Sequence, residues 1–344
     1  MTEERLISWL NSRPGTSALV DDCAFLDLGE PWAVTVDTQT EGIHIPEGLD
    51  EEVLARRLLA VNLSDLAAVG AQPAHAFLTL AAPPDFDHRR FFEGFLYDAI
   101  AVGLTLSGGD VSRGDRYTAT LTLLGRRADG AERFMPRSNA RPGDRLWLGG
   151  PVGRSHLGFL LGQLGARLDD SGVLSLPRHL PPELLAAAER AVRCHVEPLK
   201  HVKEQLGLGV DLVRLPRSAG LDVSDGLAKD LHRLCAESGV GAVIEAEAIS
   251  LPEDDRALAE FLDADPLEAA LGGGEDYVLL FALPADVEAP GMEAPGVEAP
   301  GVEAPGPGSG GCREIGRVTT GIVELNRCGR LRALPATGFD HLAR

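Results

Sequence analysis

Aspartates recur in this chain beside glycine or small polar residues, where strands or helices are expected to begin or end. The acidic segments are VDDCA with Asp21-Asp22, VTVDT with Asp37, VNLSDLAAVGA with Asp65, LSGGDVSRG with Asp110, LDVSDGL with Asp222 and Asp225, and LGGGEDY with Glu275-Asp276. Hard divalent cations such as Mg²⁺ take carboxylate oxygens and keep waters and substrate phosphates as their other ligands. Many carboxylates without a companion set of histidines and cysteines therefore predict a magnesium site.

Each acidic segment taken alone also has a structural interpretation. Asp225 could cap the helix expected from Leu227, and Asp110 could shape a turn, because caps and turns are the usual positions of aspartate. A bound cation is favoured when many carboxylates gather, since it offsets their repulsion. Asp65 is the most informative position. It lies within an expected apolar helix, three residues after Asn62 on the same face, where aspartate has no advantage in helix propensity.

Glycine runs and arginines could bind phosphate groups. Gly108-Gly109-Asp110 and Gly272–Gly274 let the backbone approach a ligand closely. The chain contains no G-x-x-x-x-G-K-[ST] sequence. Arg113 and Arg137 could hold phosphate oxygens, or could be ordinary surface arginines. No Ser–His or Cys–His nucleophile pair is visible, and a phosphate oxygen acting as nucleophile would need none.

Composition excludes several classes of protein. The chain has 344 residues with 32 Lys and Arg against 52 Asp and Glu, a formal net charge of −20. This balance argues against binding to nucleic acid or to an anionic membrane, because both require a basic face. No apolar run approaches the roughly 18 residues of a membrane span, and the first residues do not resemble a signal peptide. We therefore expect a cytoplasmic protein. The five cysteines are scattered without a C-x-x-C pair, which indicates neither a disulfide framework nor a zinc site.

Strand-like and helix-like stretches alternate, which favours an α/β (α+β) fold with mixed sheets covered by helices. A helix is expected over Glu51–Val69 between strands at Ala33–Asp37 and His75–Leu80. We place the domain boundary at the turn Arg141–Asp144, between an N-terminal domain of residues 1–142 and a C-terminal α/β domain of residues 143–344. The tetrapeptide E-A-P-G recurs four times between Glu288 and Gly306. Residues 288–311 are therefore predicted to form a flexible insertion.

The acidic segments occur in the order and approximate spacing of the motifs of thiamine-monophosphate kinases. The chain resembles this family, within the aminoimidazole-ribonucleotide synthetase-like superfamily, through VDDCA, VTVDT followed by GIH, LLAVNLSDLAAVGA, LSGGDVSRG, LDVSDGLAKDL, GGGEDY and GFDH. The resemblance implies a two-domain fold and ATP-dependent phosphorylation of thiamine monophosphate to thiamine diphosphate with Mg²⁺. It also implies a homodimer in which the N-terminal domain binds ATP and metal and pairs with its copy.

The resemblance assigns roles to individual residues. Metal ligands are implied at Asp22, Thr35, Asp37, Asp65, Asp110, Asp222 and Asp225. Nucleotide contacts are implied at Gly109, Asp110, Arg137 and Ser224. The thiamine-phosphate side is implied at His44 and Glu275, with Ala336 where an aromatic residue usually stacks on thiamine and Phe339 as the nearest substitute. His44 has an alternative interpretation as a packed strand residue between Ile43 and Ile45.

Three departures from the family pattern keep a second function open. Val20 replaces the glycine before the paired aspartates, Val36 replaces a hydroxyl residue beside Asp37, and Ala336 replaces the aromatic residue. These changes favour a non-catalytic paralogue that binds nucleotide or thiamine phosphate, or another ATP-using enzyme of the superfamily. Retention of the aspartates favours the kinase.

Overall fold

A computed structural model describes residues 23–27, 29–168, 174–176, 180–291 and 311–339, and it contains two mixed sheets. The first sheet is built from β1 (Ala24–Asp27), β2 (Pro31–Thr40), β3 (Ala71–Ala82), β4 (Thr105–Arg113) and β5 (Thr118–Arg127). Its strand order is β1-β2-β5-β3-β4, in which β3 and β4 are parallel and the other neighbours are antiparallel. Strand β4 therefore forms one edge, three strand steps from β2.

The second sheet lies in the later part of the chain. Its strands are β6 (Arg145–Leu148), β9 (Ala219–Asp222), β10 (Gly241–Glu245), β11 (Leu279–Leu283), β12 (Arg313–Thr319), β13 (Val323–Arg327) and β14 (Arg330–Ala333), and the short strands β7 (Arg167–Leu168) and β8 (Leu174–Ser175) pair separately. The order is β14-β13-β10-β12-β6-β11-β9, with a parallel β10–β13 pair. The expected α/β fold with mixed sheets is confirmed.

The helices cover these sheets. They are α1 (Glu51–Ala68), α2 (His88–Ala101), α3 (Arg154–Gln163), α4 (Leu185–Val196), α5 (Leu199–Arg214), α6 (Leu227–Ser238), α7 (Glu253–Phe261) and α8 (Pro266–Gly272). Helix α1 begins after Asp50, whose side chain accepts a hydrogen bond from the Glu52 backbone N–H at 2.9 Å. It is buried around most of its circumference because it contacts β2, β3, β5, α2 and α5. Among the described residues, no helix is long and apolar enough to cross a membrane.

One hydrophobic core connects the two halves of the chain. Leu58 and Leu63 of α1 share this core with Val202 of α5 and with Trp147 and Phe281 of the second sheet. Residues on both sides of the expected boundary thus pack together. The division at residues 142 and 143 stays a prediction.

The structure differs from the sequence interpretation most clearly at β4 and α5. Gly108-Gly109-Asp110, interpreted above as a phosphate-binding backbone, lies within strand β4. A Cβ added at Gly109 would lie 1.8 Å from the Leu78 carbonyl oxygen, so the close approach that Gly109 permits is to strand β3. Helix α5 was not expected, although it packs directly against α1.

The predicted E-A-P-G insertion lies largely outside the described residues, which omit 292–310. Its two described ends are neighbours in space. A Cβ added at Gly311 would lie 3.7 Å from the Gly291 carbonyl oxygen. A short connection could therefore join the chain on either side of these repeats.

Deletion of residues 292–310 should leave the free energy of unfolding within about 1 kcal/mol of the full chain, because loop-closure entropy changes slowly with loop length. Urea unfolding followed by circular dichroism would measure the change. A Gly-Ser segment of the same length as 292–310 is the matched control for the repeat sequence. A cooperative loss of folding in both variants would show that the repeats pack against the rest of the chain.

Candidate active site

A cleft of about 1150 Å³ lies between the two sheets and collects most of the predicted site residues. Those that line it are Thr35, Asp37, His44, Asp65, Arg137, Asp222, Ser224, Asp225, Glu275 and Phe339. Asp22 lies outside the described residues. Gly109, Asp110 and Ala336 are described but do not line the cleft. One chain therefore brings Asp37 of β2 and Asp65 of α1 into the same cleft as two aspartates at the end of β9. These are Asp222, the last residue of that strand, and Asp225, which follows it.

Helix α1 places polar side chains against strand β2. The Thr35 hydroxyl donates a hydrogen bond to Oδ2 of Asp65. Asn62 Oδ1 accepts a hydrogen bond from the Asp37 backbone N–H at 3.1 Å, and Asn62 Nδ2 donates to the Leu58 carbonyl oxygen at 2.9 Å. Because Asn62 is fully buried and uses both ends of its amide, its orientation is fixed. Helix α1 thus holds both Asp65 and the backbone of Asp37 in place.

Ser64 connects the same helix to the second sheet. Its hydroxyl donates to Oδ2 of Asp222 at 2.6 Å, and both residues are buried. Asp222 is the last residue of β9, so the bond fixes the end of that strand beside α1. Asn62 and Ser64 of one helix therefore position aspartates that come from both sheets.

The donor set suits a hard divalent cation. Asp37, Asp65 and Asp222 offer only oxygen atoms, which Mg²⁺ prefers. Within the part of the chain that the structure describes, no group of three or more His, Cys, Asp or Glu side chains is close enough to hold a metal by itself. Mg²⁺ commonly takes only one or two protein carboxylates and completes its shell with phosphate oxygens and waters. These residues therefore fit a magnesium ion shared with phosphates of a substrate.

Replacing Ser64 by alanine should raise the Mg²⁺ concentration needed for half-maximal activity by about tenfold. The change removes a buried donor to Asp222, and a lost hydrogen bond to a charged group costs about 1.5–3 kcal/mol. Activity assays over a Mg²⁺ titration would measure this shift. Ser218→Ala, which removes a buried hydroxyl bonded to the Leu212 carbonyl oxygen at 3.0 Å, is a control that leaves Asp222 intact. An unchanged Mg²⁺ requirement in Ser64→Ala would contradict the proposed role of Asp222.

The turn at residues 224–226 is organised by Asp230. Its Oδ2 accepts hydrogen bonds from the three backbone N–H groups of this turn, at 3.1, 3.0 and 3.2 Å. Burial raises the pKa of Asp230 to about 7, against the opposing effect of Arg233. Asp225 Oδ2 lies 3.0 Å from Lys229 Nζ and 2.7 Å from Arg233 Nη2. The metal role of Asp225 stays a prediction, and these two cations are partners that the sequence analysis did not identify.

Both carboxylate oxygens of Glu275 contact a basic side chain. Arg57 donates to Oε1, and His195 Nδ1 lies 3.1 Å from Oε2. Burial opposes ionisation of Glu275, but Arg57 and His195 outweigh it and lower the pKa of Glu275 to about 2. Arg57 also donates to the His195 carbonyl oxygen. The sequence gives no local signal for this arrangement, because its members are far apart along the chain.

The glycine run before Glu275 lies against the turn that carries Ser224. Gly274 has a φ of +69°, and a Cβ there would lie 2.9 Å from the Ser224 carbonyl oxygen. The Glu275 backbone N–H donates to the same oxygen at 2.7 Å. Only glycine at position 274 allows this close contact between the two loops.

His44 lies in a turn that follows β2, so its interpretation as a packed strand residue is wrong. Its ring Nδ1 accepts a hydrogen bond from the Thr40 backbone N–H at 3.0 Å. This bond leaves Nε2 as the ring nitrogen that carries the proton in the neutral form. His44 and Glu275, the two predicted substrate residues, both line the cleft.

Of the two residues considered for the stacking position near the C-terminus, Phe339 lines the cleft and Ala336 does not. The Phe339 backbone N–H donates to the Asp225 carbonyl oxygen at 2.9 Å, and its carbonyl oxygen accepts from Lys229. These bonds anchor the segment beside the turn at residues 224–226. The role of each residue toward thiamine stays a prediction.

Asp110 lies on the opposite face of the first sheet from Asp37. The register pairs Asp110 with Thr79 and Thr79 with Thr120, a row whose side chains point away from α1 because the alternate residue Leu78 is buried. Strands β4 and β2 are three steps of about 4.8 Å apart, roughly 14 Å. Within one chain, Asp110 and Asp37 therefore do not meet at one metal ion.

Comparisons with known proteins find thiamine-monophosphate kinases that match most of the chain. Residues 20–127 match the model of the AIR synthase related protein, N-terminal domain. A thiamine-monophosphate kinase of Salmonella typhimurium is 34% identical over 271 residues, 77% of this chain and 75% of that protein. A thiamine-monophosphate kinase of Pyrococcus abyssi is 28% identical and covers 100% of this chain, with 96% of its own length matched. The structure of AaThiL complexed with AMPPCP and TMP has a TM-score of 0.78 at 25% identity, and the match covers 99% of this chain and 97% of that one.

Proposed function

The chain belongs to the thiamine-monophosphate kinase family, and we propose from this membership and from its cleft that it transfers the terminal phosphoryl group of ATP to thiamine monophosphate. The product is thiamine diphosphate. The observation that carries the proposal is a set of hydrogen bonds between helix α1 and strand residues of both sheets. Asn62, Ser64 and Asp65 of the helix make these bonds. A catalytic site for transfer between two phosphates needs such fixed oxygen ligands more than it needs a nucleophilic side chain.

The nucleophile in this reaction is an oxygen of thiamine monophosphate, which is already anionic. No residue of the chain has to remove a proton from it. The main obstacle is the repulsion between two phosphate groups. Arg137 and Arg233 line the same cleft and are the side chains we assign to offset this negative charge.

We assign magnesium binding to Asp37, Asp65 and Asp222, with Thr35 beside them, and keep Asp22 and Asp225 as further candidate ligands. Magnesium would neutralise phosphate charge and hold phosphate oxygens for in-line transfer. Thr35 would orient the Asp65 carboxylate through its hydroxyl, and Ser64 would orient Asp222. The carboxylates act here as metal holders, not as general bases.

For the two substrates, we propose that Ser224 and Arg137 contact ATP and that His44, Glu275 and Phe339 contact thiamine monophosphate. Glu275 is suited to a fixed polar contact because Arg57 and His195 hold it ionised and oriented. The relatives carry the name of a kinase, which supports catalysis over the alternative of a binding-only paralogue. A cytoplasmic location, where ATP is abundant, remains part of the proposal.

A homodimer completes the site in this proposal. Gly109 and Asp110 lie on the edge strand β4, whose residues are exposed apart from the half-buried Leu106. The same outward sheet face exposes Phe77 and Val36, and apolar side chains exposed together are typical of an interface. We propose that a second copy covers this face and brings its Gly109 and Asp110 to the partner's cleft.

The activity can be tested with the purified chain, ATP, Mg²⁺ and thiamine monophosphate, followed by chromatography for thiamine diphosphate. The expected result is product that disappears when EDTA removes the divalent cation. Tight binding of ATP without thiamine diphosphate would contradict catalysis and favour the binding-only paralogue.

A further inference from the structure

One end of the cleft presents apolar and aromatic side chains instead of carboxylates. It is lined by helices α3 and α4 and by the turn at residues 42–49. Phe159 of α3 is 43% exposed and Ile43 of the turn is 64% exposed, and both line the cleft. Large apolar side chains that remain exposed inside a cavity are typical of a surface that a ligand covers.

The sequence of α3 places these groups on one stripe of the helix. His156, Phe159 and Gln163 follow each other at spacings of three and four residues and all line the cleft. Leu157 and Leu161 lie on the other side and are fully buried in the core. The buried leucines therefore fix the helix so that its aromatic stripe faces the cleft.

The aromatic rings at this end of the cleft contact one another. The centroids of His156 and Phe159 are 6.2 Å apart with an angle of 30° between the ring planes. Phe159 meets His195 edge to face at 5.8 Å and 67°. Since His195 contacts Glu275, the aromatic surface is continuous with a residue proposed to contact thiamine monophosphate.

We propose that Phe159, with His156 beside it, binds the ring system of thiamine monophosphate, an inference that rests on the proposed function. Thiamine contains a positively charged thiazolium ring and a flat aminopyrimidine ring. The face of a phenyl ring attracts a cation and stacks on a flat heterocycle. The phosphate of the same molecule would then point toward the carboxylates and their cation.

His156 does not oppose the binding of a cationic ligand beside Phe159. Burial, together with the neighbouring His195, lowers the pKa of His156 below its usual value. This shift favours the neutral form of His156, which does not repel the thiazolium ring. Glu275 is also nearby, with its negative charge paired to Arg57.

Gly162 offers a way to test the space in front of Phe159. It lies three residues after Phe159 and lines the cleft. A Cβ added at Gly162 would have no heavy atom within 4 Å, so the cleft is open there. A small side chain should be accommodated at this position, whereas a phenyl group would occupy the space proposed for the substrate ring.

The test compares Michaelis constants for both substrates in Phe159→Ala, Phe159→Tyr and Phe261→Ala. Phe261 is 37% exposed and lies on α7 outside the cleft, which makes it a matched control. Phe159→Ala should raise KM for thiamine monophosphate about tenfold and change KM for ATP less than about twofold. Phe159→Tyr keeps an aromatic face and should raise KM for thiamine monophosphate less than Phe159→Ala does, whereas Phe261→Ala should keep the wild-type constants. Calorimetric titration with thiamine monophosphate alone should show the same loss of affinity in Phe159→Ala.

Gly162→Phe and Gly162→Ala provide an independent test if Phe159→Ala does not fold. Gly162→Phe should raise KM for thiamine monophosphate selectively, and Gly162→Ala should not. Unchanged constants in both Phe159→Ala and Gly162→Phe would overturn the inference, as would a selective rise in KM for ATP, which would place the adenine there. If the wild-type protein formed no thiamine diphosphate, the proposed function would fail. The calorimetric comparison would still decide whether Phe159 binds the thiamine ring.

Discussion

Asparagine in place of Asp65 should reduce kcat on the order of a thousandfold, about 4 kcal/mol in the activation barrier. Asparagine keeps the size of the side chain and an oxygen that can accept from the Thr35 hydroxyl. It removes the negative charge that would hold a cation between two phosphate groups. The fold should survive, because the helix and the Thr35 contact do not require the charge. Steady-state assays at saturating ATP, with circular dichroism for the fold, would measure both effects.

Asp211→Asn is the matched control for this substitution. Asp211 also lies in a helix, α5, but it pairs on the surface with Arg214 at 3.3 Å. Loss of such an exposed pair changes stability by less than about 1 kcal/mol and should leave turnover unchanged. If Asp65→Asn retained most of its activity while Asp211→Asn behaved as wild type, the assignment of Asp65 to the metal would be wrong.

Mixing two inactive variants, Asp110→Asn and Asp222→Asn, should restore activity. Each variant alone is expected to lose nearly all turnover, since each removes a carboxylate from every site of its own homodimer. A mixed dimer would contain one site with an intact Asp222 from one copy and an intact Asp110 from the other. If half of the dimers are mixed and each has one working site, about a quarter of wild-type activity should return.

This complementation distinguishes whether Asp110 acts in the cleft of its own chain or in the cleft of the partner. The variants would be unfolded and refolded together so that the copies exchange, and each refolded alone as a control. No recovery in the mixture, with dimers present by light scattering, would show that Asp110 does not act in the partner's site. A monomer at micromolar concentration would remove the proposed dimer altogether.

Sequence reasoning predicted the parts of the fold whose signals are local. The apolar spacing of residues 51–69 predicts helix α1, and Asp65 stands out within it because aspartate has no advantage in helix propensity. Strands β2 and β3 contain the expected segments Ala33–Asp37 and His75–Leu80, and the structure extends both. The alternation of residues along these strands fixes which side chains face the core.

Contacts between distant segments could not be predicted in this way. Ser64 and Asp222 are 158 positions apart, and Arg57 and Glu275 are 218 positions apart. No local pattern connects such pairs, so their contacts depend on how the two sheets pack on α1. The surroundings of Gly109 could not be predicted for a related reason, and its role toward nucleotide stays a prediction. Glycine permits close approach of any partner, and here that partner is strand β3.

The phosphoryl transfer itself can be measured most directly with ATP labelled with ³²P at the γ position. The purified protein, Mg²⁺ and thiamine monophosphate should convert the label into the terminal phosphate of thiamine diphosphate, with one ADP formed for each labelled product. Asp65→Asn should form almost none of this product, and Asp211→Asn should form it at the wild-type rate. Label that appeared only as inorganic phosphate, with thiamine monophosphate unchanged, would contradict the assignment of this cleft to transfer between two substrates.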